Sequence, residues 1–308
     1  MTKRVLIFCK EDDWHALAIQ ALLRKRGAEA DLLDTSKFPI DIKLVHSGAN
    51  MTEVEFGGRR LSEYHSIWNR RAHRPIVAAE FTDADEKSFA ARECFEALWG
   101  AIYASGLPIY NLPEAERRAS FKADQLRLAS EIGLNIPATL ITNSPEEALA
   151  FYELQNKSVI YKTFTGTTWR MMDTRPLTDG DLKDLWRVRY TPLIFQEYLE
   201  LGREYRVSVV DNQCFAGEIV IEHPGAQYDW RLDDNHGVKS VNLPPDIEMK
   251  LQTLRQRLKL NTGAIDLRET PDGKIYFLEV NPTGQFLFLD IFGKIDVAGA
   301  FCDMLLQG

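Results

Sequence analysis

The apolar positions of the chain change period in a legible order. Val5 to Cys9 is an unbroken apolar run, the pattern of a strand buried on both faces. From Asp12 to Arg26 the period lengthens. Leu17, Ala18, Ala21 and Leu22 share one helical face, and Gly27 supplies a stop. Glu29 to Leu33 reads as the next strand, so a βαβ unit opens the chain. The glycine fingerprint that cradles a dinucleotide pyrophosphate does not follow the first strand. Ile42–Val45 and Glu53–Phe56 suggest a hairpin, Ser66–Trp68 another strand, Phe81–Tyr103 a long helix and Leu107–Tyr110 a strand. Leu112-Pro113 marks the first boundary.

Glu114 to Ile132 is expected as one helix carrying Lys122, broken after Ile132 by Gly133, Asn135 and Pro137. Thr139–Thr142 is a strand. Ser144-Pro145-Glu146-Glu147 is a helix start with Ser as cap and Pro in the first turn. Val159 to Lys162 is a strand that runs into the polar stretch Phe164–Arg170. Leu193–Phe195 begins a third region. Tyr205–Val210 and Phe215–Ile221 form a hairpin about Asp211-Asn212. Ile247–Leu258 is an amphipathic helix, Gly263–Arg268 and Ile275–Val280 are strands joined at Pro271-Asp272-Gly273, and Val297–Leu306 is a terminal helix. The pattern is α/β with α+β lobes, divided as residues 1–112, 113–191 and 192–308.

Composition narrows the classes. The 308 residues are 45% hydrophobic and 27% charged, an ordinary globular balance that excludes wholesale disorder. With 37 Lys plus Arg against 45 Asp plus Glu the formal charge is -8, which argues against nonspecific nucleic-acid binding. The apolar stretch at the start is too short for a membrane span or a signal peptide. Four cysteines far apart in sequence give no zinc or redox spacing, so a reduced, cytoplasmic protein is expected.

The strongest local chemistry is Phe277-Leu278-Glu279-Val280-Asn281-Pro282. Period two puts Glu279 and Asn281 on one face of a strand end. If the strand holding Asp266 pairs with it, three oxygen-bearing side chains converge. That donor set suits Mg²⁺ shared with phosphates; ordinary turn or edge residues are the alternative. Lys162 ends an apolar strand, and Lys122 precedes it on a helix. Both can neutralise phosphates, or Lys162 can simply reach to solvent. Thr165-Gly166-Thr167-Thr168 offers donors without the P-loop ending. Phe195-Gln196-Glu197-Tyr198-Leu199 could present backbone groups to a purine edge. Glu204 and Arg206 alternate on the following strand. Arg206 and Arg231 are candidates to clamp phosphate or carboxylate oxygens, with surface salt bridges as the alternative.

Taken in order, Lys122, Lys162, Glu197 to Leu199, Glu204, Arg206, Arg231, Asp266 and Glu279-Val280-Asn281-Pro282 resemble the ATP-grasp superfamily. Ser66-Ile67-Trp68-Asn69-Arg70-Arg71, Thr142-Asn143-Ser144-Pro145, Asp229-Trp230-Arg231 and Asn281 through Phe288 extend the resemblance to the graspetide (microviridin-type) maturases and glutamate-ligase-like enzymes over nearly the full length. The maturases often carry Trp where Phe286 and Phe288 stand here.

The resemblance implies an ATP-grasp fold behind an N-terminal pre-ATP-grasp domain, with ATP and Mg²⁺ as cofactors. Lys122, Lys162, Thr165 and Gly166 would meet phosphates. Glu197, Tyr198 and Leu199 would hold adenine, and Glu204 the ribose. Asp266, Glu279 and Asn281 would hold Mg²⁺, while Arg206, Arg231 and Lys162 would stabilise transferred charge. Arg70, Arg71, Asp229 and Gln285 are the substrate candidates, with a structural role at the domain seam equally open for Arg70 and Arg71. The implied reaction activates an Asp or Glu side chain of a ribosomal precursor peptide as an acyl phosphate, then closes an ester or amide macrocycle. Addition of an amino acid to a protein end or small molecule is the alternative. The implied partners are a precursor peptide with a helical leader and a second copy in a homodimer, with no nucleic acid or membrane.

Overall fold

The computed structural model describes residues 2–48, 53–165, 174–233 and 235–307. The expected βαβ start is present. Strand Arg4–Phe8 lies between strands Glu29–Leu33 and Ser66–Trp68, all parallel, and Ile109–Tyr110 extends the sheet. Helix Trp14–Lys25 begins where the Asp13 carboxylate accepts from the Ala16 amide, which satisfies one of the open donors of the first turn. Leu44–Ser47, Glu53–Phe56 and Arg59–Arg60 form a small antiparallel sheet beside it. Phe8, Phe56, Trp99 and Ile102 fill one side of this unit.

The expected single helix after Pro113 is two. Pro113–Ala119 ends where the Ser120 hydroxyl donates to the Arg117 carbonyl, and Phe121 takes an extended backbone before Lys122–Glu131 resumes. The break arises because Ser competes for backbone groups that a continuous helix would use. Its effect is to set Lys122 at the head of a helix.

A four-stranded sheet follows, ordered Arg175–Pro176, Val159–Lys162, Leu193–Glu197, Thr139–Thr142. Strand Leu193–Glu197 pairs on both sides within it, so the middle sheet continues past residue 191. Phe195 is fully buried in this lobe's own core with Ala148, Tyr152 and Val159, which ties the strand there rather than to the residues after it.

The C-terminal sheet has five antiparallel strands: Gly237–Val241, Gln213–Val220, Arg203–Val210, Thr262–Glu269 and Ile275–Asn281. Helices Pro113–Ala119, Lys122–Glu131 and Pro245–Arg257 cover one face with Leu126, Leu251, Leu254 and Phe277 at the centre. The terminal helix Val297–Gln307 crosses back onto the first helix, and Phe301 stacks on Phe286 at 4.4 Å between ring centres. The pattern of hydrophobic positions missed the helix Leu287–Gly293 and the strand Gly237–Val241. Both lie where the apolar period is shorter than one full element.

Candidate active site

Strands Thr262–Glu269 and Ile275–Asn281 do pair, with Asp266 directly opposite Glu279 and Ala264 opposite Asn281. That register puts Asp266, Glu279 and Asn281 on one face. All three line a cleft of about 810 Å³ between the middle and C-terminal sheets. Lys122, Lys162, Thr165, Glu197, Leu199, Glu204, Asp229 and Arg231 line the same cleft. So do Arg268 and Arg117, which the sequence reading did not single out. Arg268 stands two residues after Asp266 on the same strand, a period-two signal that could have found it.

The cleft face of the C-terminal sheet is wired across strands. Arg206 is opposite Asp266, and its Nη1 donates to both carboxylate oxygens at 2.8 and 2.9 Å. Arg268 is opposite Glu204 and donates from Nε at 2.8 Å, while its Nη1 reaches the Leu199 carbonyl at 3.3 Å. Lys122 Nζ lies 2.8 Å from Glu279 Oε2. A cation at the head of a helix opposes the macrodipole, and this ion pair offsets the conflict. Gln125, buried one turn on, fixes the geometry: its amide donates to the Val280 carbonyl at 2.9 Å and accepts from the Val280 amide at 3.0 Å. The helix is thereby registered to the strand between Glu279 and Asn281.

The charges shape the site. Burial works to raise the Glu279 carboxyl, but the Lys122 and Lys162 ammoniums outweigh it and hold it down at about 2. Asp266 is pushed up, first by burial and then by the facing Glu279, with Arg206 working against both. Burial draws Lys162 down, and Glu279 resists that shift while Lys122 adds to it. Burial raises Glu204 to about 7 despite its Arg268 partner. Arg231 is pushed up because the Asp229 carboxylate takes its Nε and Nη2 at 2.7 and 2.5 Å.

The substrate candidates Arg70, Arg71 and Gln285 stand elsewhere. Arg70 is 3% exposed and does not line the cleft; its Nη1 donates to the Thr283 carbonyl at 2.7 Å. Arg71 and Gln285 are exposed and likewise outside the lining, although the Gln285 carbonyl accepts from Arg206 at 3.3 Å. Tyr198 packs its ring against Tyr228 at 5.1 Å. The Glu197 carboxylate accepts from the Ala138 amide at 3.0 Å. Gly166, with Thr167 and Thr168, lies outside the described residues.

The donor set fits a hard divalent cation. Two carboxylates and one amide oxygen present oxygen alone, and among the described residues no further acid or imidazole joins them. Three protein ligands leave positions for water and phosphate oxygens. The surrounding Lys122, Lys162 and Arg231 provide for a polyphosphate that the two carboxylates alone would repel.

No family model matches the chain. The fold matches the macrocyclase MdnC, bound with precursor peptide MdnA, from Microcystis aeruginosa MRC: 27% identity, 100% of both chains covered, TM-score 0.86. It also matches a RiPP-associated ATP-grasp ligase of Chryseobacterium gregarium in complex with ADP and a leader and core peptide: 27% identity, 100% of this chain and 97% of that one, TM-score 0.88. The tetrahydromethanopterin:alpha-L-glutamate ligase of Methanocaldococcus jannaschii is 24% identical over 212 residues, 65% of this chain and 71% of that protein. The chain has the ATP-grasp fold, homologous to that of RiPP macrocyclases and glutamate-ligase-like enzymes, and it is a ligase that uses ATP with Mg²⁺. Among the described residues no helix is long and apolar enough to cross a membrane.

Proposed function

We propose that this ligase activates Asp or Glu side chains of a ribosomally made precursor peptide as acyl phosphates, and that a Ser/Thr hydroxyl or Lys amine of the same peptide then attacks to close an ester or amide ring. The observation that carries the reading is the cross-strand pair Asp266 and Glu279 facing Lys122 and Lys162 in one cleft, within a fold that overlays a macrocyclase from end to end. Mg²⁺ would supply charge neutralisation between the polyphosphate and the incoming carboxylate.

In this reading Asp266, Glu279 and Asn281 hold the metal. Lys122 and Lys162 bind phosphate oxygens with Thr165 beside them, and the phosphate role expected of Gly166 falls outside the described residues. Arg206, expected among the groups that stabilise transferred charge, does not line the cleft and is taken by Asp266, so its part is to hold Asp266 in place as a ligand. Arg231, already oriented by Asp229, meets the charge that develops on the transferred group. Leu199 presents its backbone to the base, beside Glu197 and Tyr198. Glu204 reaches the ribose. Closure of the middle lobe excludes water, which would otherwise hydrolyse the acyl phosphate. A helical leader on the peptide, a homodimeric assembly, cytoplasmic residence and the division at residue 112, with the second boundary moved past Glu197, belong to the same proposal. Four free cysteines, two of them buried, support a reduced compartment.

The test is a mass measurement. Incubation with a Thr/Ser- and Asp/Glu-rich peptide encoded beside the gene, ATP and Mg²⁺ should remove one water mass per bond formed. The glutamate-ligase relative favours a second reading, addition of an amino acid to an acceptor. A mass gain of one residue would establish that reading and end the first.

A further inference from the structure

The loop after Asn281 is held from two sides. Three of its backbone carbonyls are taken by three different side chains. Asn111 Nδ2 donates to Pro282 O at 3.1 Å, Arg70 Nη1 to Thr283 O at 2.7 Å, and Arg206 Nη2 to Gln285 O at 3.3 Å. Arg70 and Asn111 come from the N-terminal sheet, one just past the end of strand Ser66–Trp68 and the other just past Ile109–Tyr110. Arg206 comes from the C-terminal sheet. Gly284 lets the loop close in: a Cβ there would lie 2.3 Å from Ala264 Cβ and 2.9 Å from Arg206 Nη2.

These ties reach the metal-ligating face. The Thr283 amide donates to Asn281 Oδ1 at 3.2 Å, so the residue whose carbonyl Arg70 grips also orients the Asn281 side chain. Arg70 is costly to place. It is buried, and its Nε meets its acid, Asp13, only at 3.5 Å and out of hydrogen-bond geometry. A buried ion pair held at that separation is weak evidence of a stabilising role alone. We propose that Arg70 is a positioning residue of the ligase: through Thr283 it sets the Asn281 amide for Mg²⁺, so that the N-terminal domain, which does not line the cleft, tunes the metal site.

The inference rests on the metal reading given above, and the test separates the two. ADP binding is measured calorimetrically with Mg²⁺ and with EDTA, alongside the Mg²⁺ dependence of turnover. In Arg70→Lys, Mg²⁺-free ADP affinity should stay within about twofold of the parent, while the half-saturating Mg²⁺ concentration rises about tenfold, the usual cost of disturbing a residue that orients a metal ligand. In an Asn281→Ala background the Arg70→Lys change should add nothing to the Mg²⁺ requirement. If Arg70→Lys lowers the folded fraction in a urea titration, Gly284→Ala displaces the same loop from the other side and should give the same signature.

A parent enzyme whose ADP affinity ignores Mg²⁺ would overturn the metal reading and this proposal with it. A parent that responds to Mg²⁺, with variants that respond identically, would overturn the positioning role alone. So would a loss of ADP affinity equal with and without Mg²⁺, or a rise confined to the KM for peptide.

Discussion

The two walls of the cleft answer their charges differently. On the C-terminal sheet, Arg206 meets Asp266, Arg268 meets Glu204, and Glu279 meets Lys122 from the adjoining helix. On the middle sheet the polar groups are fewer. Gln196 donates to Thr139 Oγ1 and Glu197 accepts from a backbone amide. Lys162 has no ion pair among the described residues, and its ammonium is disfavoured by burial. One wall is built and held before any ligand arrives. The other brings a cation that feels Glu279 across the cleft but makes no ion pair with it, and that is left to meet a ligand. A charge paired across strands costs the fold when its partner is removed, whereas an unpaired one costs the ligand.

Glu279 tests the built wall most severely, since two lysines hold it ionised. Glu279→Ala should lower turnover about a thousandfold, equivalent to about 4 kcal/mol at the transition state. Its circular dichroism spectrum should match the parent's. Turnover within tenfold of the parent would remove Glu279 from the metal site. Arg268→Leu comes next. It leaves Glu204 buried without its cation, and the unfolding free energy in urea should drop by about 3 kcal/mol. An unchanged midpoint would mean that the cross-strand pairing contributes nothing, and the contrast between the walls would collapse.

Much of the built wall was readable in the sequence because strands advertise themselves locally. Asp266, Glu279 and Asn281 stand at period two in apolar runs, and only their pairing had to be assumed. Lys162 was readable for the same reason: a charge in Val159-Ile160-Tyr161 is conspicuous. What escaped is set by contacts distant in sequence. Arg70 belongs to a conspicuous motif, yet nothing local says that it reaches 213 residues along the chain to Thr283. Asn111 sits at a backbone φ of 60°, where Asn is tolerated, but its bonds go to Thr262 and Pro282. Gln125 is locally one polar residue on a helix, and its grip on Val280 depends on the helix breaking at Ser120. The boundary near residue 191 followed a change in local pattern, whereas the middle sheet claims Leu193–Glu197 through pairing on both sides.

Lys162→Ala sharpens the contrast by its sign. Removing a half-buried cation that makes no ion pair should change the unfolding free energy little, since the desolvation it relieves offsets the counter-charge that Glu279 loses. The KM for ATP should rise about tenfold, near 1.4 kcal/mol of lost phosphate contact. Both readings come from one preparation, through a urea titration and steady-state kinetics. A clear loss of stability with unchanged KM would place Lys162 with the structural pairs of the opposite wall.

The smallest effect asks whether pairing fully compensates burial on the C-terminal wall. Glu204 has its Arg268 partner, yet burial still lifts its carboxyl from 4.5 to about 7. A carboxyl raised in the folded state holds its proton more tightly there than in the unfolded chain. Its favourable contribution is therefore complete below about pH 4.5 and is lost as pH rises through about 7. The loss should be on the order of 1 kcal/mol across that window. In Glu204→Gln the group no longer titrates, and its share of the decline should vanish. The measurement is the urea midpoint of the nucleotide-free protein at pH 4.5 and at pH values on either side of 7, in parent and variant. Parallel profiles would show that the Arg268 guanidinium cancels the burial of Glu204 in full, and the C-terminal wall would then be compensated at every pair.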